Sequence, residues 1–181
     1  MKTFIVFLRG INVSGQKKIR MAELRTCLSE AGFKEVRTYI QSGNLVLDSS
    51  ATELNISERV QRAILDTFGF NVPVLTLDLS NLQAIIKKNP YPATQEYNKG
   101  IYFVLLYDEP DAKAVETLEN ETFNNEEFTI TPSSIYLKCH KGYGRAKCNN
   151  NFFERRLNIQ ATARNWKTIT TLEEMALSNS T

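Results

Sequence analysis

Apolar and polar positions divide the chain into short blocks whose period switches between two and about 3.6. Residues 3–8 form an apolar run with Phe4, Val6 and Leu8 on one side and Ile5 and Phe7 on the other. With no polar face, that run predicts a central strand covered on both sides. Met21, Leu24, Leu28 and Ala31 follow at helical spacing, and Gly32 supplies a stop. Residues 36–40 and 45–47 predict two strands joined through Ser42-Gly43-Asn44. Thr52 is placed to cap a helix lined by Ile56, Val60, Ile64 and Phe68 and ended by Gly69. Residues 72–77 then read as a strand.

The pattern recurs in the second half. Ser80 is placed to cap a short helix (Leu82, Ile85, Ile86) that Asn89-Pro90 ends, and the run to Lys99 reads as a connector. Residues 101–106 repeat the two-sided apolar strand, and Pro110 opens a helix with Ala114, Val115 and Leu118 inward. A second hairpin spans residues 128–130 and 135–139. Phe152, Phe153 and Leu157 begin another helix, and residues 159–163 a short strand. A final helix over 172–177 leads into a polar end expected to fray. The order is βαββαβ twice, which predicts an α+β fold of duplicated ferredoxin-like design with tightly packed halves and a C-terminal helix. The expected divisions are a first half over 1–79, a helix and connector over 80–99, and a second half with the C-terminal helix over 100–181.

Four polar islands interrupt these blocks: residues 9–18, 41–44, 142–147 and 164–167. In the first, a buried strand runs into Arg9-Gly10-Ile11-Asn12-Val13-Ser14-Gly15-Gln16-Lys17-Lys18 just before a helix. Glycines, backbone N–H groups and cations at one spot suit a phosphate or carboxylate. The spacing of Gly10, Gly15 and Lys17 does not make a nucleotide-triphosphate loop. Gln16 intervenes before Lys17, and Lys18 stands where a magnesium-binding hydroxyl belongs. Gln41 and Asn44 offer amides for recognition, although Ser-Gly-Asn is also ordinary turn chemistry. Arg145 and Lys147 lead into an asparagine-rich helix start, another setting for an anion. Arg164 and Asn165 flank Trp166, which stacks on a ligand ring or closes the core. The candidate ligand-binding set is Arg9, Asn12, Lys17, Gln41, Asn44, Arg145, Lys147, Arg164, Asn165 and Trp166, expected to converge on one positively polarised pocket between the halves. Cys148 beside Arg145 and Lys147 is a weaker candidate nucleophile, with no histidine placed to assist it. His140 reads as a surface residue.

Composition narrows the classes. At 181 residues the chain can bury a sizeable core. A net charge of +2 does not by itself indicate nucleic acid. Between Lys138 and Lys167 eight basic residues face one acid, whereas between Tyr107 and Glu127 eight acids face Lys113 alone. Three cysteines without C-x-x-C spacing, together with a single histidine, leave no zinc site of the usual kind. No cofactor is read from the sequence, and no catalytic residue is assigned. Arg9 cuts the N-terminal apolar run short of a signal peptide, and no stretch reaches membrane-span length. A cytoplasmic protein with reduced thiols and no membrane partner is expected.

Taken together, Leu8-Arg9-Gly10-Ile11-Asn12-Val13, Lys18-Ile19-Arg20-Met21-Ala22-Glu23-Leu24, Tyr39-Ile40-Gln41-Ser42-Gly43-Asn44 and Arg164-Asn165-Trp166-Lys167-Thr168 resemble a bacterial family, domain of unknown function 1697. The resemblance implies a duplicated ferredoxin-like fold and brings no activity or catalytic residue. The chain differs from the family pattern at Ser14, Ala146 and Ala163. Three functions compete at this point. The first is binding of an anionic small molecule, such as a nucleotide or a phosphorylated or carboxylated metabolite. The second is RNA or single-stranded DNA binding, which calls for aromatic side chains projecting from central strands. The third is an enzyme using the same cations on a phosphorylated substrate.

Overall fold

A central strand needs hydrogen-bonding partners on both edges, and the first apolar run obtains them in the computed structural model, which describes residues 1–91 and 98–178. Strand β1 (Lys2–Leu8) lies between β3 (Asn44–Ser49) and β4 (Val74–Asp78), with β2 (Lys34–Tyr39) outside β3. All pairings are antiparallel. Helices α1 (Met21–Glu30) and α2 (Glu53–Phe68) connect β1 to β2 and β3 to β4. Phe4, Val6 and Leu8 join Leu24, Leu28, Leu45, Leu47, Ile56, Val60 and Ile64 in one core, as the helical and strand periods predict. Ile5 and Phe7, on the other side of β1, are fully buried as well. Thr52 caps α2 by accepting from Asn55 N, and Gly69 ends it in the left-handed conformation.

Helix α3 (Leu79–Lys87) follows β4 without a break. Its cap is Asp78, not Ser80: the Asp78 carboxylate accepts from Asn81 N at 2.8 Å and from Ser80 Oγ at 2.7 Å. Part of the expected connector, residues 92–97, lies outside the described residues.

The second sheet has the order β6-β7-β5-β8, matching β2-β3-β1-β4 position for position. Its elements are β5 (Ile101–Leu106), α4 (Ala112–Glu119), β6 (Glu126–Ile130), β7 (Ser134–Cys139), α5 (Asn150–Leu157) and β8 (Ala161–Asn165), followed by α6 (Trp166–Leu177). The cap of α4 is Asp111, which accepts from Lys113 N and Ala114 N, so Pro110 stands before the cap and not inside the helix. β8 begins two residues later than the apolar run suggests, because Asn158 at φ 53° ends α5 in the left-handed region. α6 begins at Trp166, six residues earlier than expected.

The chain divides into two compact units, residues 1–84 with 171–181, and residues 85–170. Within the first unit, Arg37 on β2 closes the end of α6. Its Nη2 donates to Met175 O at 2.7 Å and its Nη1 to Ser178 Oγ at 3.2 Å. The expected fraying beyond this point concerns residues 179–181, which lie outside the described residues.

Candidate functional site

Strand register decides which islands meet. In the first unit Phe7 pairs with Asn44 and Leu8 with Val74, so β1 ends where β3 and β4 begin. The loop leaving β1, the turn entering β3 and the segment entering β4 therefore share one end of the sheet. Backbone bonds fasten them: Leu8 N donates to Gly43 O at 2.8 Å, and Arg9 N to Pro73 O at 3.0 Å.

Asn12 organises the loop. Its Nδ2 donates to the carbonyls of Ile19 (2.9 Å) and Gln41 (2.8 Å), while its Oδ1 accepts from Ile19 N at 2.9 Å. One side chain thus closes the loop on itself and joins it to the hairpin turn. Ile11 and Ile19, both buried, anchor its two ends. Along this segment Gly10, Asn12, Ser14, Gly15 and Lys17 all have positive φ, from 44° to 76°. Gly10 and Gly15 adopt that region freely and Asn12 tolerates it, whereas the side chains of Ser14 and Lys17 disfavour it. Gly43 makes the close contact possible: a Cβ there would sit 2.7 Å from Leu8 Cβ and 3.1 Å from Ile11 Cγ1.

Lys17 Nζ donates to Asn71 O at 2.6 Å, and Asn71 Oδ1 accepts from Gln61 Nε2 at 2.7 Å. The Asn71-Val72-Pro73 segment escaped sequence reasoning because it contributes main-chain carbonyls, which leave no side-chain signature. Asn44 is buried, with Nδ2 directed to Tyr39 O and Ser42 Oγ inside the turn. Arg9 is half-buried, and Gln41, Lys18 and Arg20 are exposed. Of the sequence-predicted set, Arg9, Asn12, Lys17, Gln41 and Asn44 are thus brought to one end of the first sheet.

The second unit gathers its pair at the other end of its central strand. Ile101 pairs with Lys138 and Tyr102 with Asn165, so β7 and β8 finish where β5 starts. Tyr143 stacks on Tyr102 with centroids 4.5 Å apart. Its hydroxyl accepts from Asn150 N at 2.9 Å, and Asn149 Oδ1 accepts from Phe152 N at 3.0 Å. Side chains therefore already occupy N–H groups at the start of α5, where the sequence pointed to an anion. Arg145 and Lys147 are exposed, and Lys147 N donates to the buried Glu126 carboxylate at 3.2 Å.

Arg164 lies on β8, and its Nη1 donates to Thr162 Oγ1 and Ala163 O, both at 2.8 Å. Burial pushes its guanidinium down to about 10, while the fields of Tyr107 and Tyr143 oppose the shift, so the group stays charged at neutral pH. Asn165 Oδ1 accepts from Thr168 N at 2.8 Å and thereby caps α6. Trp166 is half-buried, its ring centroid 5.7 Å from that of Phe103. Cys148 is fully buried, and burial, reinforced by Glu126, pushes its thiol up to about 12. That environment opposes the thiolate a nucleophile requires. His140 is exposed, with Nε2 2.6 Å from Glu127 Oε1.

Among the described residues the aromatic side chains are buried or half-buried. Among the same residues no group of three or more His, Cys, Asp or Glu is arranged to hold a metal ion. No described helix is long and apolar enough to cross a membrane.

An α+β chain of two four-stranded antiparallel sheets has a solved counterpart in a conserved bacterial protein of Streptococcus pneumoniae. The two share 24% identity and a TM-score of 0.71 over 96% of this chain and 98% of that one. The chain belongs to the DUF1697 family, proteins of unknown function, whose model matches residues 1–136. That span takes in the Asn12 loop and the Gly43 turn. No curated protein matches the chain.

Proposed function

We propose that the protein binds an anionic small molecule, a nucleotide or a phosphorylated or carboxylated metabolite, on the loop and turn joined by Asn12. One observation carries this reading: five of the eight residues from Gly10 to Lys17 have left-handed backbones, Ser14 and Lys17 among them with side chains that disfavour it, on a loop closed by a single amide. Conformational strain of this density persists where the surrounding structure enforces it, and it is concentrated at ligand clamps and active sites. Here Arg9, Lys17 and Lys18 supply positive charge around the strained segment. Such a loop binds with little ordering cost, because its shape is fixed before the ligand arrives.

The reading extends to architecture and place. Matching strand orders and the repeated βαββαβ succession support two ferredoxin-like units arising by duplication. Three buried thiols, none in a disulfide, support a reducing compartment such as the cytoplasm.

Thermal denaturation against a panel of inorganic phosphate, pyrophosphate, nucleotides, sugar phosphates and carboxylates tests the proposal. At least one anion is expected to raise Tm in a concentration-dependent manner, as ligands that select the native state do. Arg9→Ala and Lys18→Ala are expected to remove that rise. A panel in which no anion stabilises the protein overturns the reading.

A further inference from the structure

We infer that the ligand of this loop carries an aromatic or aliphatic body beside its anionic group, and that Val13 and Ile40 receive that body. The inference rests on the anion-binding reading and adds the ligand's class. Val13 and Ile40 are 56% and 53% exposed. Each stands one residue from the Asn12–Gln41 bond that joins their loops. Isolated exposed aliphatics are ordinary. These two differ in sharing one junction and in the backbone at residue 40.

Ile40 has φ 48°. The hairpin turn sets that angle, but it does not ask for isoleucine. A β-branched side chain in the left-handed region is strained, whereas asparagine or glycine closes the same turn at less cost. A residue this exposed gains little burial to offset the strain. Val13 stands between two more left-handed residues, Asn12 and Ser14, and its carbonyl accepts from Gln16 N at 2.9 Å. The side chain is thus presented at the tip of a fixed loop. Small-molecule sites combine apolar contact area with a few polar groups that set orientation. Val13 and Ile40 furnish the first, and Arg9, Lys17, Lys18 and Gln41 the second.

Titration calorimetry of the full chain with phenyl phosphate and with inorganic phosphate separates the two contributions. Wild type is expected to bind phenyl phosphate about tenfold more tightly or better. Ile40→Asn is expected to bring the two affinities within about threefold while leaving the Kd for inorganic phosphate unchanged. The same change is expected to raise Tm by about 2–4 °C, because the strain is relieved. Val13→Ser is expected to shrink the ratio without the gain in Tm. Equal wild-type affinities, a ratio untouched by both changes, or a lower Tm in Ile40→Asn overturns the inference while phosphate binding itself stands. If neither probe binds wild type while another anion of the thermal panel does, this inference falls alone; if no anion of the panel binds either, the anion-binding reading falls and takes this one with it.

Discussion

Asn12 and Gly43 show how much structure two small residues can hold. Asn12 uses both ends of its amide on three main-chain groups from two segments. Each such bond contributes about 0.5–1.5 kcal/mol net. Asn12→Ala is therefore expected to lose about 2–4 kcal/mol, with the loop no longer fixed to the turn. At Gly43 a methyl group meets Leu8 Cβ at 2.7 Å on a backbone of φ 79°. Left-handed strain of about 1–2 kcal/mol adds to an overpacking cost of about 1–3 kcal/mol. Gly43→Ala is expected to lower the urea midpoint at least as far as Asn12→Ala. A loss below about 1 kcal/mol would show that the end of β1 yields easily, against the packing argument. The sequence displayed both residues as parts of polar islands, but it did not disclose that the islands meet, Asn12 through the carbonyl of Gln41 and Gly43 against Leu8 and Ile11. That contact depends on the Phe7–Asn44 register, which no local pattern encodes.

At the scale of elements, strands and helices with a strong apolar period were legible, and their ends were not. β1 and β5 follow from short runs apolar on both faces, and α2 from the spacing of Ile56, Val60 and Ile64. The errors lie at caps, where several polar residues compete for one position. Asp78 caps the helix that Ser80 was expected to cap, and Asp111 caps the next, which puts Pro110 before the cap instead of at the first helical position. An ionised carboxylate accepts a stronger bond from helix N–H groups than a hydroxyl does. The largest error, six residues of α6, follows from Arg164-Asn165-Trp166-Lys167 reading as a loop when Asn165 is a cap and Trp166 opens the helix. Asn165→Ala is expected to cost about 1 kcal/mol in thermal or urea unfolding, with Asn165→Ser recovering most of it. Were the amide reserved for a ligand, neither change would move stability.

At the scale of the molecule, the two units repeat an element order but not a use of it. The first gathers its islands where β1 ends, the second where β5 begins, so positions matched by topology carry different chemistry. The second unit also contains two deeply desolvated thiols. Burial pushes Cys139 up to about 11 and Cys148 up to about 12, with Glu126 adding to both. In the unfolded chain a cysteine thiol ionises at about 8.5. Below that pH both states hold the proton, and stability is independent of it. Above it the unfolded chain releases protons that the native unit retains, so stability falls as pH rises. Each thiol contributes up to about 1.4 kcal/mol per pH unit, and the pair roughly 2.7 kcal/mol per unit until Cys139 begins to ionise in the native state. The only tryptophan, Trp166, lies within residues 85–170, so its fluorescence reports on the unit that holds both thiols. The urea midpoint followed by that signal is expected to hold steady from pH 7 to 8.5, then drop by about 1 M per pH unit up to pH 10.5. Replacing both thiols with alanine is expected to make the decline shallower below about pH 10, above which Tyr91, Tyr102, Tyr136 and Tyr143, also shifted up by burial, sustain it, and the cavities lower the starting midpoint. A wild-type midpoint unchanged across the alkaline range would mean that these side chains reach water in the native protein.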